Sequence, residues 1–140
     1  TLLGINAGSV YVFTRDAISR AWSNTPVQLT AFDGTAGDSF GISVSISGGI
    51  LVVGADLDDT LSGVDSGSAY VFSRTSGVWD RLTPNKITAS DPAAGDNFGH
   101  SVSISGGTTI AGEPSDDTSV SAADAGSAEI DLLVPAECGT

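Results

Sequence analysis

The sequence has 140 residues, enough for one small folded domain, and 40% of them are hydrophobic while 16% are charged. This balance excludes a disordered polyelectrolyte. A net charge of −12 repels phosphate backbones and argues against nucleic acid as a partner. No apolar run approaches the roughly 20 residues of a membrane-spanning helix. The sequence has no methionine and no recognisable signal peptide, so we expect a processed protein or a piece of a longer one that is soluble or extracellular.

The predicted elements recur along the chain with a period of about 58 residues. The phrase FGISVSISGG, which begins at Phe40, returns almost unchanged as FGHSVSISGG from Phe98. A period of this length is typical of repeat architectures. Further motifs recur at the same spacing: AGSVYVF (7–13) as SGSAYVF (66–72) and AGSAEID (125–131), AGDSFG (36–41) as AGDNFG (94–99), and Trp22 as Trp79.

Each repeat reads as a series of short strands. In FGISVSIS (40–47) isoleucine and valine alternate with serine, which is the period-two pattern of a strand. ILVVGA (50–55) is continuously apolar and predicts a strand buried on both faces. SAYVF (68–72) and VWDRLT (78–83) are rich in β-branched and aromatic residues. Glycine, aspartate, serine and proline separate these segments and no helical period is present, so we predict four-stranded antiparallel sheets.

The motifs FGxSVSISGG, VVGA, DD and DSGSAYVF, in this order, resemble the FG-GAP repeat. This repeat is the blade of integrin α-type β-propellers and of many bacterial surface proteins. The resemblance covers nearly the whole sequence. It implies that the FG strand is innermost, followed by the GA strand, the AYVF strand and an outermost strand that contains tryptophan. It also implies an extracellular or cell-surface location, a binding or structural role, and no enzymatic activity.

The fold class that we predict is therefore all-β, with propeller-type blades of about 58 residues and about 2.4 units per chain. Residues 1–35 are expected to supply the third and fourth strands of one blade, and residues 36–93 a complete blade. Residues 94–140 are expected to form a partial, divergent blade with an edge or capping strand, since Tyr70 and Phe72 become Glu129 and Asp131. So few units cannot close a ring alone.

Integrin-type repeats often carry a DxDxDG calcium loop between the FG and GA strands, but here that connection is SGG, without a carboxylate. Acidic residues gather instead after each GA strand. Carboxylates grouped on a loop can supply the oxygen ligands of Ca²⁺, and the alternative is that these aspartates form turns and caps between strands. The candidate calcium ligands are Asp56, Asp58, Asp59, Asp65, Asp116, Asp117 and Asp124.

The remaining polar residues favour structure over chemistry. Asp38 and Asp96 precede the FG strands, where they are expected to accept backbone hydrogen bonds and fix the turn between blades. His100, the only histidine, replaces Ile42 of the first copy and is predicted to be packed. No motif places a base beside a nucleophile, or picks out a carboxylate pair, as hydrolysis requires. Cys138 is the only cysteine, which excludes an intrachain disulfide.

Our leading hypothesis is a non-enzymatic extracellular structural protein whose blades assemble head-to-tail between subunits into a filament or ring. The partner that this hypothesis implies is a second copy of the chain. The alternative is an adhesion or lectin-like fragment of a larger β-propeller that binds a protein or glycan ligand and depends on calcium. A hydrolase built on a propeller is the third and weakest hypothesis.

Overall fold

A computed structural model describes residues 4–116 and 126–132, which contain ten β-strands and no helix. No helix that is long and apolar enough to cross a membrane is therefore present in these two segments. The strands are β1 (Val10–Val12), β2 (Val27–Leu29), β3 (Ser43–Ser47), β4 (Ile50–Ala55), β5 (Ser68–Thr75), β6 (Val78–Trp79), β7 (Asn85–Ile87), β8 (Ser101–Ser105), β9 (Thr108–Glu113) and β10 (Ser127–Leu132).

The strands form three antiparallel sheets, and none of the sheets is closed. The first pairs β1 with β2, and the third has the order β10-β9-β8. The middle sheet has the order β3-β4-β5, with both β6 and β7 on the outer edge of β5. This arrangement confirms the predicted all-β fold of open, propeller-type blades. The predicted boundaries after residues 35 and 93 fall in connections between sheets and stay predictions.

The middle sheet is the complete blade, and β4 lies at its centre. A two-residue turn at Gly48 and Gly49 joins β3 to β4, so that Ser47 pairs with Ile50. On its other edge β4 pairs with β5 over six residues. The side chains of β4 alternate between two neighbouring sheets, and the strand is buried from Leu51 to Ala55. This explains why its sequence is apolar throughout.

Two apolar cores lie on the two faces of the complete blade. The core towards the first sheet includes Phe40, whose ring meets those of Tyr70 and Phe72 edge-on at centroid distances of 5.4 and 6.0 Å. The core towards the third sheet includes the equivalent Phe98 together with Val52, packed with Ile104 of β8. Sheets that bury both faces in this way stack as consecutive blades do.

Backbone hydrogen bonds join each blade to the next at the residues before the FG strand. In both copies three amides of the AGD[SN]F motif donate to three carbonyls that precede the third strand of the earlier blade. The donors and acceptors are Gly37 to Ile5 (3.0 Å), Ser39 to Asn6 (3.2 Å), Phe40 to Ala7 (3.1 Å), Gly95 to Val64 (3.0 Å), Asn97 to Asp65 (3.2 Å) and Phe98 to Ser66 (3.0 Å). The junction between blades is thus repeated bond for bond.

Buried carboxylates hold the same turns. The amide of Thr35 donates to Asp38 at 2.6 Å, and the amide of Ala93 donates to Asp96 at 2.5 Å. Both aspartates are almost fully buried. The prediction that these two residues fix the turn between blades through backbone hydrogen bonds is confirmed.

Replacing Gly67 by alanine tests how closely the blades approach. Gly67 has a φ of +80°, and an added Cβ would overlap backbone atoms of Phe98. We expect Gly67→Ala to lower the free energy of unfolding by about 2–5 kcal/mol, from the left-handed backbone and the overlap together. Urea unfolding measures this change.

Gly77→Ala is the matched control, because its φ is +84° but the nearest atom to an added Cβ is the end of the Arg74 side chain at 3.9 Å. We expect it to cost only about 1–2 kcal/mol. Equal losses in the two variants would show that the overlap at Gly67 does not matter.

Candidate functional site

The predicted acidic loop after β4 is tied to the blade by Asp58. Its carboxylate is buried and accepts hydrogen bonds from Ser68 Oγ at 2.5 Å and from the Tyr70 hydroxyl at 3.4 Å. Lys86 Nζ lies 2.6 Å from the same carboxylate oxygen. Asp58 therefore serves three internal partners on β5 and β7.

Lys86 is the centre of a charged cluster on the edge between the first two sheets. Its ammonium also contacts Asp33 Oδ2 at 2.7 Å and stands 5.2 Å from the centre of the Tyr70 ring. The Tyr70 hydroxyl donates to Asp33 Oδ1 at 2.7 Å. The cluster thus connects the β2–β3 connection, the β4–β5 loop, β5 and β7. It lines an open cleft of about 650 Å³, together with Asp59, Thr60, Leu61, Ser62 and Thr88.

The cluster shifts the pKa of Asp33, Lys86 and Tyr70. Burial alone would raise the pKa of Asp33, but the hydrogen bonds from Lys86 and Tyr70 outweigh it and hold that pKa below its ordinary value of 3.8. Burial would lower the pKa of Lys86, but its bonds to Asp33 and Asp58 raise that pKa instead. Burial and the bond to Asp33 both raise the pKa of Tyr70. At neutral pH these three groups are therefore a charged Asp33 carboxylate, a charged Lys86 ammonium and a neutral Tyr70 phenol.

The signs of these shifts set how the cluster responds to pH. The lowered pKa of Asp33 contributes stability that is present above its unfolded pKa and is lost as the pH falls through the folded value. The raised pKa of Lys86 contributes stability that is present below its unfolded pKa and is lost as the pH rises through the folded value.

The other predicted ligands of the first loop also have structural roles. Asp56 Oδ2 lies 2.7 Å from His100 Nδ1, while Asp56 Oδ1 is buried without a hydrogen-bond partner. Asp59 accepts a hydrogen bond from the amide of Asp65 at 2.9 Å. Asp65 has a φ of +53°, and its carbonyl accepts from Asn97 of the next blade. These bonds close the loop and connect it to the third sheet.

In the second acidic loop, Asp116 is buried and its carbonyl accepts the amide of Gly126 at 3.0 Å. This bond repeats the one from the amide of Gly67 to the carbonyl of Asp58. Asp117 and Asp124 lie outside the described residues. Within residues 4–116 and 126–132, no three carboxylate, imidazole or thiol groups come close enough to hold a metal ion. Calcium binding therefore stays a prediction.

The sequence did not predict a role for Lys86, and the predicted position of His100 was wrong. Lys86 is the only lysine in the chain, and this rarity could have marked it as a candidate site residue. Nothing in the sequence, however, placed it beside Asp33 and Asp58. His100 was predicted to be packed in place of isoleucine. Its side chain is instead half exposed, because it pairs with Asp56 across the junction between the second and third sheets.

The inner strands present two chemically different faces. The serines of β3 face the next blade, where Ser43 Oγ donates to the carbonyl of Gly99 at 2.7 Å and Ser45 Oγ accepts the amide of Ile104 at 3.1 Å. The apolar side chains of β8, Val102 and Ile104, face the preceding blade and join its core. Each blade therefore has a leading apolar face and a trailing serine face along its inner strand.

The leading face of the complete blade is open along its inner strand β3, and the trailing face of the third sheet is open as well. Ile46 is 56% exposed, whereas its equivalent Ile104 in the internal interface is 7% exposed. Ile110 and Ile130 are 42% and 65% exposed, whereas their equivalents Val52 and Val71 are 0% and 7% exposed. The leading face also exposes Ile42 and Val44, and the trailing face exposes Ser101, Ser103 and Ser105. The two open surfaces thus correspond to the two sides of one interface.

Comparison with known families agrees with the geometry. The family model described as FG-GAP repeat matches residues 22–72 and 83–130, together more than half of the chain. The chain belongs to the FG-GAP repeat family. Repeats of this family form β-propeller-like domains that are generally extracellular, non-enzymatic and involved in binding. No curated protein matches the sequence.

Removing the Lys86 ammonium tests whether the charged cluster holds the first two sheets together. Lys86→Met leaves the buried Asp58 carboxylate without its cation, and we expect a loss of about 2–4 kcal/mol in the free energy of unfolding. The control is Arg81→Met, since Arg81 is exposed and forms no ion pair within the described part of the chain. It should change stability by less than about 0.5 kcal/mol. Urea unfolding that gives the same midpoint for both variants would exclude a role for the cluster.

Proposed function

We propose that the protein is a non-enzymatic extracellular structural protein whose FG-GAP blades pack head-to-tail between subunits. The observation that carries this proposal is the correspondence between its two open faces. The interface between the second and third sheets buries an apolar row of β8 against a serine-bearing face. The same row on β3 and the same face on the third sheet remain exposed.

The internal interface supplies the expected contacts. If the contact between copies repeats the internal interface, Ser101 Oγ would donate to the carbonyl of Gly41 of the next copy. Ser103 Oγ would accept a hydrogen bond from the amide of Ile46 of that copy. Ile42, Val44 and Ile46 would lose their contact with water, which favours association by about 25 cal/mol for each Å² of apolar surface buried. Contiguous apolar rows of this kind mark interaction surfaces, unlike single exposed side chains.

The two faces differ from each other, so the contact is heterologous. Such a contact gives a ring where the rotation closes and a filament where it does not. The net charge of −12 on each copy opposes association at low ionic strength, and added salt screens this repulsion. Assembly is therefore expected to strengthen with salt.

The alternative function is that of an adhesion or lectin-like unit of a larger β-propeller. What favours it is the open cleft beside Lys86, which offers Asp33, Asp59 and Ser62 to a protein or glycan ligand. In that case further repeats, and not second copies, cover the leading and trailing faces. A chain that stays monomeric at every concentration supports this alternative.

Light scattering of the purified chain over a range of concentrations tests head-to-tail packing. We expect the average mass to rise with concentration, and Val44→Asp, which places a charge on the leading face, to raise the concentration required by at least tenfold. Val78→Asp is the control, because Val78 is an exposed strand valine that lies on neither open face. Monomers throughout, or equal effects of the two variants, would exclude this packing.

The same measurement with EDTA tests the calcium prediction separately. Assembly that is lost in EDTA and restored by added Ca²⁺ supports calcium ligands in the acidic loops. Assembly that EDTA leaves unchanged excludes a calcium requirement and leaves the packing of the faces in place.

A further inference from the structure

Within the described residues, one edge of β1 in the first sheet is unpaired, whereas the equivalent edge of β5 in the complete blade is paired. β1 pairs with β2 in the same register in which β5 pairs with β7, so that Tyr11 lies opposite Gln28 and Tyr70 lies opposite Lys86. In the complete blade the other edge of β5 pairs with β4. The equivalent edge of β1 pairs with no strand within residues 4–116 and 126–132. The first sheet therefore lacks its two inner strands among these residues.

The third sheet contains the inner strands that would complete it, but its β9 has no free edge. β9 pairs with β8 on one side and over six residues with β10 on the other. β10 thus occupies on β9 the place that β5 occupies on β4. If β8 and β9 of one copy extend the first sheet of another copy, β1 must pair with the edge of β9 that β10 already occupies.

We propose that subunits assemble by strand exchange, in which β1 of one copy displaces β10 from β9 of another. The product is a four-stranded blade with the order β8-β9-β1-β2 that is made from two chains. This inference rests on the proposed head-to-tail function and adds its mechanism. Displacement of β10 is required because one strand edge can pair with only one strand at a time.

The registers indicate why β1 can replace β10. Tyr70 pairs with Val53 and Phe72 with Leu51 in the complete blade, and both aromatic side chains are fully buried. In the third sheet, the residues of β9 equivalent to Val53 and Leu51 pair with Glu129 and Asp131 of β10. β1 instead carries Tyr11 and is followed directly by Phe13, and both side chains are half exposed. The complete blade buries the equivalent positions, and at a buried position an aromatic residue adds apolar contact whereas a carboxylate is costly.

β10 belongs to the same chain as β9, so its pairing with β9 is favoured over pairing with β1 of another copy. This advantage sets the protein concentration at which exchange begins. A strand held by a short connection has an effective concentration of about 1 mM. At about 0.1 mM protein, β1 must therefore pair with β9 about tenfold more strongly than β10 does. Below that concentration β10 remains in place and the chain stays monomeric.

Restoring the aromatic residues in β10 tests the exchange. The double variant Glu129→Tyr/Asp131→Phe gives β10 the residues of β5, and Glu129→Gln/Asp131→Asn is the control that removes charge alone. Light scattering should show the aromatic variant monomeric at concentrations at least tenfold above those at which the wild type assembles. The control should assemble within about threefold of the wild-type concentration.

A labelled peptide of residues 8–14 gives a second measurement that does not depend on how the variants fold. By fluorescence anisotropy we expect it to bind the wild-type chain and to inhibit assembly. The matched peptide with Tyr11→Glu and Phe13→Asp, which copies the pattern of β10, should bind at least tenfold more weakly.

The outcomes separate the two proposals. An aromatic variant that assembles at or below the wild-type concentration, or two peptides that bind equally, overturns strand exchange and leaves head-to-tail packing standing. A wild-type chain that never assembles overturns both proposals. Assembly of the wild type with a monomeric aromatic variant and selective peptide binding supports both.

Discussion

The fold depends on the close contact between the Phe-Gly turn of one blade and the backbone that begins the third strand of the blade before it. Parallel bridges join Gly8 to Phe40 and Gly67 to Phe98. Both glycines have positive φ angles, and an added side chain at either would overlap the phenylalanine backbone. The junction positions each phenylalanine ring between consecutive sheets, and it sets the spacing at which their faces pack.

The junction also gives the stack a direction. Because the inner strand begins at the turn, its apolar residues face the earlier blade and its serines face the later one. The exposed ends of the described structure are therefore complementary to each other and not to themselves. The head-to-tail contact that we propose rests on this complementarity. In the proposed strand exchange, the same direction brings β1 of one copy to the edge of β9 that β10 occupies in another.

Much of the fold was predictable because the strands and turns of each repeat have recognisable local sequence patterns. The alternation in FGISVSIS, the continuous apolar run of ILVVGA and the glycines between strands each predict their element. The outer strand was predicted around VWDRLT, but β6 ends at Trp79 and pairing resumes only at Asn85. The reason is local, since Asp80 accepts the amides of Leu82 and Thr83 and turns the chain away from β5.

The site was less predictable because its contacts join residues far apart in the sequence. The pair between Lys86 and Asp33 spans 53 residues, and the pair between His100 and Asp56 spans 44. The sequence left the acidic loops open between calcium ligands and turn-forming residues. In the first loop the carboxylates bind Ser68, Lys86, His100 and a backbone amide. Repetition in the sequence thus predicts the shared architecture, whereas the contacts unique to one junction require the structure.

Hydrogen exchange at the amide of Phe98 tests the coupling of blades most directly. This amide donates to the carbonyl of Ser66 in the preceding blade at 3.0 Å. If the junction holds the blades together, Phe98 exchanges only through global unfolding, with the same free energy as the central amides of β4. Exchange of Phe98 by local opening, at a much lower free energy while β4 remains protected, would contradict that coupling.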